Sequence, residues 1–453
     1  MTPNASFPLG DTKRIAQIEG HGSQVAINIQ ALATYARDSP WGTSPVRESG
    51  WNSVDRDPAV QVPGEVHQAR RSILAHMGQL QILLEEPADF LQRLARQNQL
   101  LACLRWLIEY QVLACIPLQG SVPISEVAAL TDAPEKRLAQ IVQMTATSGF
   151  LCEPKPGQLA HTALSVPFVS DLNLLDASLF LTETAAPAAY EMATATRRWG
   201  PSAQIDQTAY NAAFDTPTTF FEACEQGTRL RRQWSAYLLC GMGDVEAGVR
   251  DVLTRLNWSG LGNSIVVDTA ATSATLATTL AKIYPSLRFI VQLSNTHEPN
   301  DNYEMRTGHI VIEQRVFGTP QHVRDAALFI ARVPTLYTTA SISAHIRTEL
   351  QAHVGVLNAN RRARLLLVLP SVLRDHTWTG DSETEAVAMA RLRDLAFWQL
   401  AKEGEMEMSE LLDLANGVHD GGGKLAVVNK FAARHHSAFA LELRYQSYTE
   451  VEA

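Results

Sequence analysis

The chain has 453 residues, 46% of them hydrophobic and 19% charged, with a net charge of -9. Such a length holds two or three domains, each with its own core. The acidic balance argues against nucleic acid or an anionic membrane as main partner, and no apolar run reaches the ~18 residues of a membrane-crossing helix.

The opening "MTPNASFPLG" lacks the apolar core of a secretion signal. The five cysteines, Cys103, Cys115, Cys152, Cys224 and Cys240, are scattered without C-x-x-C spacing. They predict reduced core thiols, no metal site and a cytoplasmic protein.

Residues 1–60 form a helical arm and linker. A helix runs from about Asp11 to Arg37, and the stretch "DSPWGTSPVRESGWNSVDRDP" is rich in Pro, Gly and Ser. Residues 61–170 form a winged-helix-like region. Gly64 to Glu85 is helical, and Pro87 ends that run and opens the next helix. There Leu91, Leu94, Leu101, Leu104 and Ile108 recur at helical spacing and predict a buried face, in the core or against a second subunit. Ser125 starts a short helix, Asp132 is placed to cap the next with Pro134 in its first turn, and "CEPKPGQLAHT" reads as a β-hairpin wing. The second helix offers only Lys136 and Arg137 as basic groups, so a structural or dimerisation role is favoured over DNA binding.

Residues 171–260 form a helical layer with many aromatics, among them Phe180, Tyr190, Tyr210, Phe220, Trp234 and Tyr237. Such residues build core or line an apolar pocket. Residues 261–453 alternate apolar strands, "SIVVD", "RFIVQL", "HIVIEQ", "AALFIARV", "ARLLLVLP" and "LAVVNKF", with helical stretches, the pattern of a parallel sheet covered on both faces. The chain closes with two strands in a hairpin-like arrangement. "HDGGGKL" lacks P-loop spacing and reads as a turn before a strand. His435 and His436 in "RHHS" have no ligand partners at metal spacing.

The phrases "CLRWLIEYQVLACIPLQGSVPISEVAALT" and "FLCEPKPGQLAHTALS", with this order of regions, resemble the S-adenosylmethionine-dependent O-methyltransferases of fungal secondary metabolism. The resemblance spans most of the chain beyond the arm. It implies a Rossmann-like, class I methyltransferase-like α/β C-terminal domain behind an N-terminal all-α, winged-helix dimerisation domain, and hence a homodimer.

That family's first motif is V-D-x-G-G-G-x-G, whose glycines permit left-handed backbone and close approach of the cofactor. Here Asp268 is kept, but the glycine positions hold Ala270, Ala271, Thr272 and Ala274. A side chain forced into the left-handed region costs about 1–2 kcal/mol. Leu293 stands where an acid binds the ribose hydroxyls, and Arg315 or Val316 where an acid lies near the adenine. The resemblance therefore implies a vestigial site in which Asp268 only caps the following turn or helix, and no bound S-adenosylmethionine. At the catalytic His-Asp pair stand Leu336 and Tyr337, with no histidine in a neighbouring register. The acidic partner further on is loosely matched near Glu403.

The scaffold and an apolar pocket remain. Tyr337, Thr338 and His161 are the candidate catalytic groups, and Phe180, Trp234, Tyr237, Met242, Phe397 and Trp398 the candidate pocket lining; each aromatic has core packing as its alternative. The chain is most similar in character to the O-methyltransferase-like pericyclases of 2-pyridone alkaloid biosynthesis. That resemblance implies stereoselective dehydration of a 2-pyridone alcohol to a quinone methide, followed by hetero-Diels–Alder or Alder-ene closure. Such closure needs a shaped cavity and a hydrogen-bond donor, not a nucleophile. The partner would be a polyketide-derived small molecule. Two alternatives stand beside it: a divergent O-methyltransferase acting on a polyketide-derived phenol, and a non-enzymatic scaffold or regulator of a biosynthetic cluster.

Overall fold

A computed structural model describes residues 12–38, 64–242, 245–271, 273–295, 305–333, 342–369, 384–402, 404, 406–433 and 438–448. The chain divides into two compact units, Met1–Tyr190 with Thr228–Gly241, and Glu191–Gly227 with Met242–Ala453. The Pro/Gly/Ser-rich linker after Asp38 lies outside the described residues, as do Tyr337, Thr338, Leu336, Glu403, His435 and His436.

The first unit opens with α1 (Thr12–Asp38) and α2 (Gly64–Leu84). Only seven positions of α1 escape full exposure: Arg14, Ile18, His21, Val25, Asn28, Leu32 and Tyr35. They alternate four and three apart, the heptad spacing of a coiled-coil seam. On α2 the same spacing runs through Val66, Ala69, Ile73, His76, Leu80 and Leu83, all sheltered. Three contacts fix an antiparallel register: Arg14 donates to the Leu83 carbonyl, His21 meets His76, and Asn28 donates to Ser72. In that register Ile18 falls level with Leu80, Val25 with Ile73 and Leu32 with Val66.

Helix α3 (Pro87–Glu109) begins where proline can open a helix, with Glu86 and Asp89 forming a capping box. Its far half carries buried Cys103 and Leu107. At its near end the apolar face is not covered by the described residues of this chain: Leu91 is 66% exposed, and Phe90 and Leu94 are exposed with it.

Strands β1 (Val122–Pro123), β2 (Leu151–Cys152) and β3 (Gln158–His161) form a small antiparallel sheet in the order β1-β3-β2. With α4 (Ile124–Leu130) and α5 (Glu135–Ala146) it makes the expected winged helix. Gly157 turns the wing at φ 78°, a conformation that favours glycine. Helix α5 buries Leu138, Ile141, Val142 and Thr145, the i, i+3, i+4, i+7 stripe, and leaves Lys136 and Arg137 in solvent. Asp132 does not cap it. That residue takes left-handed backbone at φ 51°, and Pro134 stands at the N-cap without a side-chain bond.

After α6 (Pro167–Ser170), α7 (Leu172–Phe180) continues through a π-helical turn, Leu181–Ala185, into α8 (Ala186–Tyr190). Helix α12 (Thr228–Cys240) packs on α7 through the aromatic trio Phe180, Trp234 and Tyr237. Arg232 pairs with buried Asp176 at 2.6 Å.

The second unit contains α9 (Met192–Trp199), α10 (Ala209–Phe214), α11 (Phe220–Gln226), α13 (Val245–Thr254), α14 (Thr275–Ile283), α15 (Ile342–Ala359), α16 (Thr384–Ala401) and α17 (Met408–Asn416). Its sheet has strands β4 (Ile265–Ala271), β5 (Arg288–Asn295), β6 (Met305–Thr307), β7 (Ile310–Val316), β8 (Ala326–Arg332), β9 (Arg364–Leu369), β10 (Gly423–Ala432) and β11 (Phe439–Ser447). The order is β10-β11-β9-β8-β4-β5-β7-β6. Strands β7, β5, β4, β8 and β9 run parallel, while β11 and β10 add an antiparallel hairpin on one edge.

Side chains alternate between two cores, as strand pleating requires. Val267, Phe329, Leu365 and Leu367 meet Leu350, Val354 and Leu411 on one face. Val266, Leu328, Ile330 and Leu366 meet Val252, Leu280 and Trp258 on the other. The glycine-rich turn ahead of β10 is structural. Asp420 accepts from the Gly422 and Gly423 amides at 2.9 Å and from the Tyr445 hydroxyl. A Cβ on Gly423 would collide with the Gln446 carbonyl.

Candidate functional site

In a sheet of this topology ligands bind beyond the carboxyl ends of the strands, at the point where the strand order reverses. Here that point lies between β4 and β8, because the chain runs outward from β4 through β5 and β7, then returns to β4's other side. Two interactions stitch it shut. Arg332 at the end of β8 reaches Asp268 of β4 with both arms of its guanidinium, Nε to Oδ1 at 3.0 Å and Nη2 to Oδ2. Next to it the buried Thr269 hydroxyl donates to the Ile330 carbonyl at 3.0 Å. Asp268 thus carries an ion pair to the neighbouring strand in addition to its place ahead of the turn. Its carboxylate is buried and neutralised by a cation from the neighbouring strand.

The missing glycines have a direct structural counterpart. Strand β4 continues through Ala271, which pairs with Leu293 of β5, and α14 begins at Thr275. Ala274 precedes it at φ -81°. Among the described residues of this segment, which exclude Thr272, none takes positive φ.

On β7 the expected departures take a definite form. Arg315 is buried and pairs with Glu349 of α15 at 2.6 Å, and its Nη2 donates to the Thr319 carbonyl at 2.5 Å. His353, one turn beyond Glu349, is wholly buried. Its Nδ1 lies 2.8 Å from the Glu349 carbonyl, so it donates there, and Nε2 faces the Gln321 amide nitrogen at 3.5 Å. Burial pushes its pKa down, with the nearby Glu349 opposing. Gln321 and Gln292 join their amides at 2.8 Å, and Gln292 reaches Glu313 at 2.7 Å. A connected polar network thus occupies one flank of the sheet.

The sequence-expected site residues fall in different places. Tyr337 and Thr338 lie outside the described residues. His161 sits at the end of the wing in the first unit. Its Nε2 donates to the Leu113 carbonyl at 3.0 Å and its Nδ1 accepts from the Ser165 hydroxyl at 2.8 Å. Both nitrogens are thereby used to fasten the winged helix, and desolvation lowers the ring's pKa. Phe180, Trp234 and Tyr237 form one aromatic cluster in the first unit, with Phe180 centroids 5.1 and 4.9 Å from the other two rings. Met242, Phe397 and Trp398 belong to the second unit. Met242 and Phe397 are buried, and the Met242 carbonyl accepts from Arg393 at 2.7 Å, whereas Trp398 is 54% exposed. Sequence reasoning missed Arg332, Glu349 and His353, whose partners are distant in the chain or visible only as an ordinary helical i, i+4 pair. It also missed the heptad of α1, although that spacing is plain in the residues.

The α1–α2 arm is the other distinctive surface. Its seam is small and partly polar, while Ile15, Ile27, Ile29, Leu74, Met77, Ile82 and Leu84 are exposed outside it. These exposed apolar side chains are the arm's most distinctive chemical feature outside its seam.

The fold is methyltransferase-like. A structure entitled "A Pericyclic Reaction enzyme" superposes with a TM-score of 0.60 at 16% identity, covering 83% of this chain and 94% of that one. The crystal structure of OxaC gives a TM-score of 0.58 at 15% identity over 96% and 100%. Sequence relationship points elsewhere. Residues 15–85 match the family described as the trypacidin cluster transcriptional coactivator tpcD N-terminal domain. The dothistromin biosynthesis regulatory protein aflJ of Dothistroma septosporum is 43% identical over 96% of this chain and 98% of its own length. The trypacidin cluster transcriptional coactivator tpcD of Aspergillus fumigatus is 40% identical over 96% and 97%. The chain belongs to this family of biosynthetic-cluster regulatory proteins and transcriptional coactivators.

That membership corrects the expectation of a pericyclase and, with it, of an enzyme. The pericyclase likeness is one of fold, at 16% identity, whereas the full-length relatives at 40–43% bear regulatory names. The resemblance to O-methyltransferase-like proteins was correct for the fold, which by itself fixes no activity.

Proposed function

We propose that the chain is a non-catalytic transcriptional coactivator of a secondary-metabolite gene cluster, built on a methyltransferase-like scaffold. The observation that carries this reading is the near full-length relationship to regulatory proteins, at 43% identity for the Dothistroma relative. The strand ends support it. Asp268 is spent on Arg332, Leu293 offers no acceptor for a ribose, and Arg315 is spent on Glu349. These groups do not fit S-adenosylmethionine, and no step is assigned to it.

In this role the protein acts through a DNA-bound activator and not by reading DNA itself. The net charge of -9 and the sparse basic groups on α5 favour a protein partner. The exposed apolar residues of α1 and α2 supply the docking surface, residence in the nucleus follows from the role, and the chain works as a homodimer. Among the described residues no helix is long and apolar enough to cross a membrane.

The test is a reporter driven by a promoter of the chain's own cluster, in cells lacking the native gene. The wild-type chain should restore expression. Ile27→Asp combined with Leu74→Asp should abolish it while thermal stability stays within about 0.5 kcal/mol, as for surface substitutions. Full reporter activity with that double variant would remove the arm from the mechanism.

A further inference from the structure

The histidine layer that helps set the register of the arm also brings two metal-ligating side chains face to face. His21 is the one buried residue among the described positions of α1, and its Nδ1 faces the Nδ1 of His76 at 2.9 Å. The ring centroids are 5.1 Å apart with planes inclined by 44°. A neutral pair in this geometry holds together only when one Nδ1 carries a proton and the other presents its lone pair. The neighbouring layers, Ile18 with Leu80 and Val25 with Ile73, are apolar, and a third apolar layer would be the ordinary choice.

Glycines surround the pair. Gly20 and Gly22 bracket His21, and Gly78 lies two residues after His76, all within helices. An added Cβ at any of them would meet nothing within 4 Å. No close approach therefore requires glycine there, and each costs about 0.5–1 kcal/mol relative to alanine. The effect is to soften both helices at the pair and to keep bulk away from its edges.

We propose that His21 and His76 form a two-histidine site for a zinc-class divalent ion that clamps α1 to α2. Two nitrogens ~2.0–2.1 Å from a tetrahedral zinc lie about 3.3 Å apart, so the separation must open by a few tenths of an ångström and the two rings, which face each other nearly head-on, must turn to aim both lone pairs at one point. On binding, the ring that carried the proton on Nδ1 moves to its Nε2–H tautomer through solvent, so both Nδ1 lone pairs face the metal and no net proton is released from the neutral pair. Among the described residues no group of three or more His, Cys, Asp or Glu could hold a metal. The described residues thus supply two ligands, and the remaining coordination positions are open to water or another donor. The site stands on the geometry of the arm and holds whether or not the arm is what a partner recognises.

The test uses the full chain, stripped with EDTA and titrated with ZnCl2, read by hydrogen–deuterium exchange. Zinc should slow exchange several-fold in peptides from residues 12–38 and 64–84. His21→Gln keeps a hydrogen-bonding side chain but loses the metal ligand, and should abolish that protection; far-UV circular dichroism checks that its helices persist. His76→Gln repeats the test from the other helix, and calorimetry should count one zinc fewer in either variant. Zinc that leaves arm exchange unchanged in the wild-type chain, or slows it equally in both variants, overturns the site.

Discussion

At the residue scale the decisive feature is the ion pair across the sheet's switch point. Asp268 looks in sequence like a survivor of a nucleotide motif, because V-D at a strand end is legible and its partner is not: Arg332 is 64 residues away. Removing one member of a buried pair costs about 3–5 kcal/mol, whereas replacing both by apolar residues is often neutral. Because Arg332 keeps some solvent access, the lower end applies. Asp268→Ala should lower unfolding free energy by about 3 kcal/mol in urea titration, and Asp268→Leu with Arg332→Met should recover most of it. Equal loss in the single and double variants would show that the pair is not the cause.

His353 adds a pH dependence. Its folded pKa lies below its unfolded value, so the unfolded state takes up a proton first as pH falls. The contribution of neutral His353 is present above the ordinary histidine range and is lost as pH drops through that range toward the folded value. Stability measured against pH should show this loss, and His353→Gln should flatten it.

At the element scale the sequence was most informative where periodicity was strong. All six apolar strand phrases form strands; five run parallel, as continuously apolar strands do when both faces are covered, while "LAVVNKF" becomes the antiparallel edge strand β10 with exposed residues. The wing forms because Gly157 permits its turn. Helix starts were less legible: Asp132 has the right chemistry for a cap, but Pro134 fixes the backbone that enters α5. On α3 the apolar spacing was clear, yet spacing cannot tell burial within a chain from a face left to solvent, as at Leu91. The arm follows the same logic. Its seam carries histidine and asparagine layers that set register at a cost in stability. Val25→Asp would put a charge into that seam and should increase hydrogen exchange of α1 and α2 strongly while the sheet amides of β8 and β9 stay protected. Uniform destabilisation of sheet and arm would show that the arm is not an independently opening element.

At the scale of the whole molecule, fold and function separate. The order of regions made the methyltransferase-like architecture readable, since it is written in long stretches of hydrophobic pattern. The regulatory relationship was not, because it shows in comparison with whole relatives and leaves no compact motif in the residues. The most direct measurement is to delete the gene in its own organism and quantify both the transcripts and the metabolites of its cluster. A coactivator predicts that cluster transcripts collapse together and return when the wild-type gene is restored, including an allele with Tyr337→Phe and Thr338→Ala. Unchanged transcripts with accumulation of a single pathway intermediate would contradict it and return the chain to the enzymes whose fold it shares.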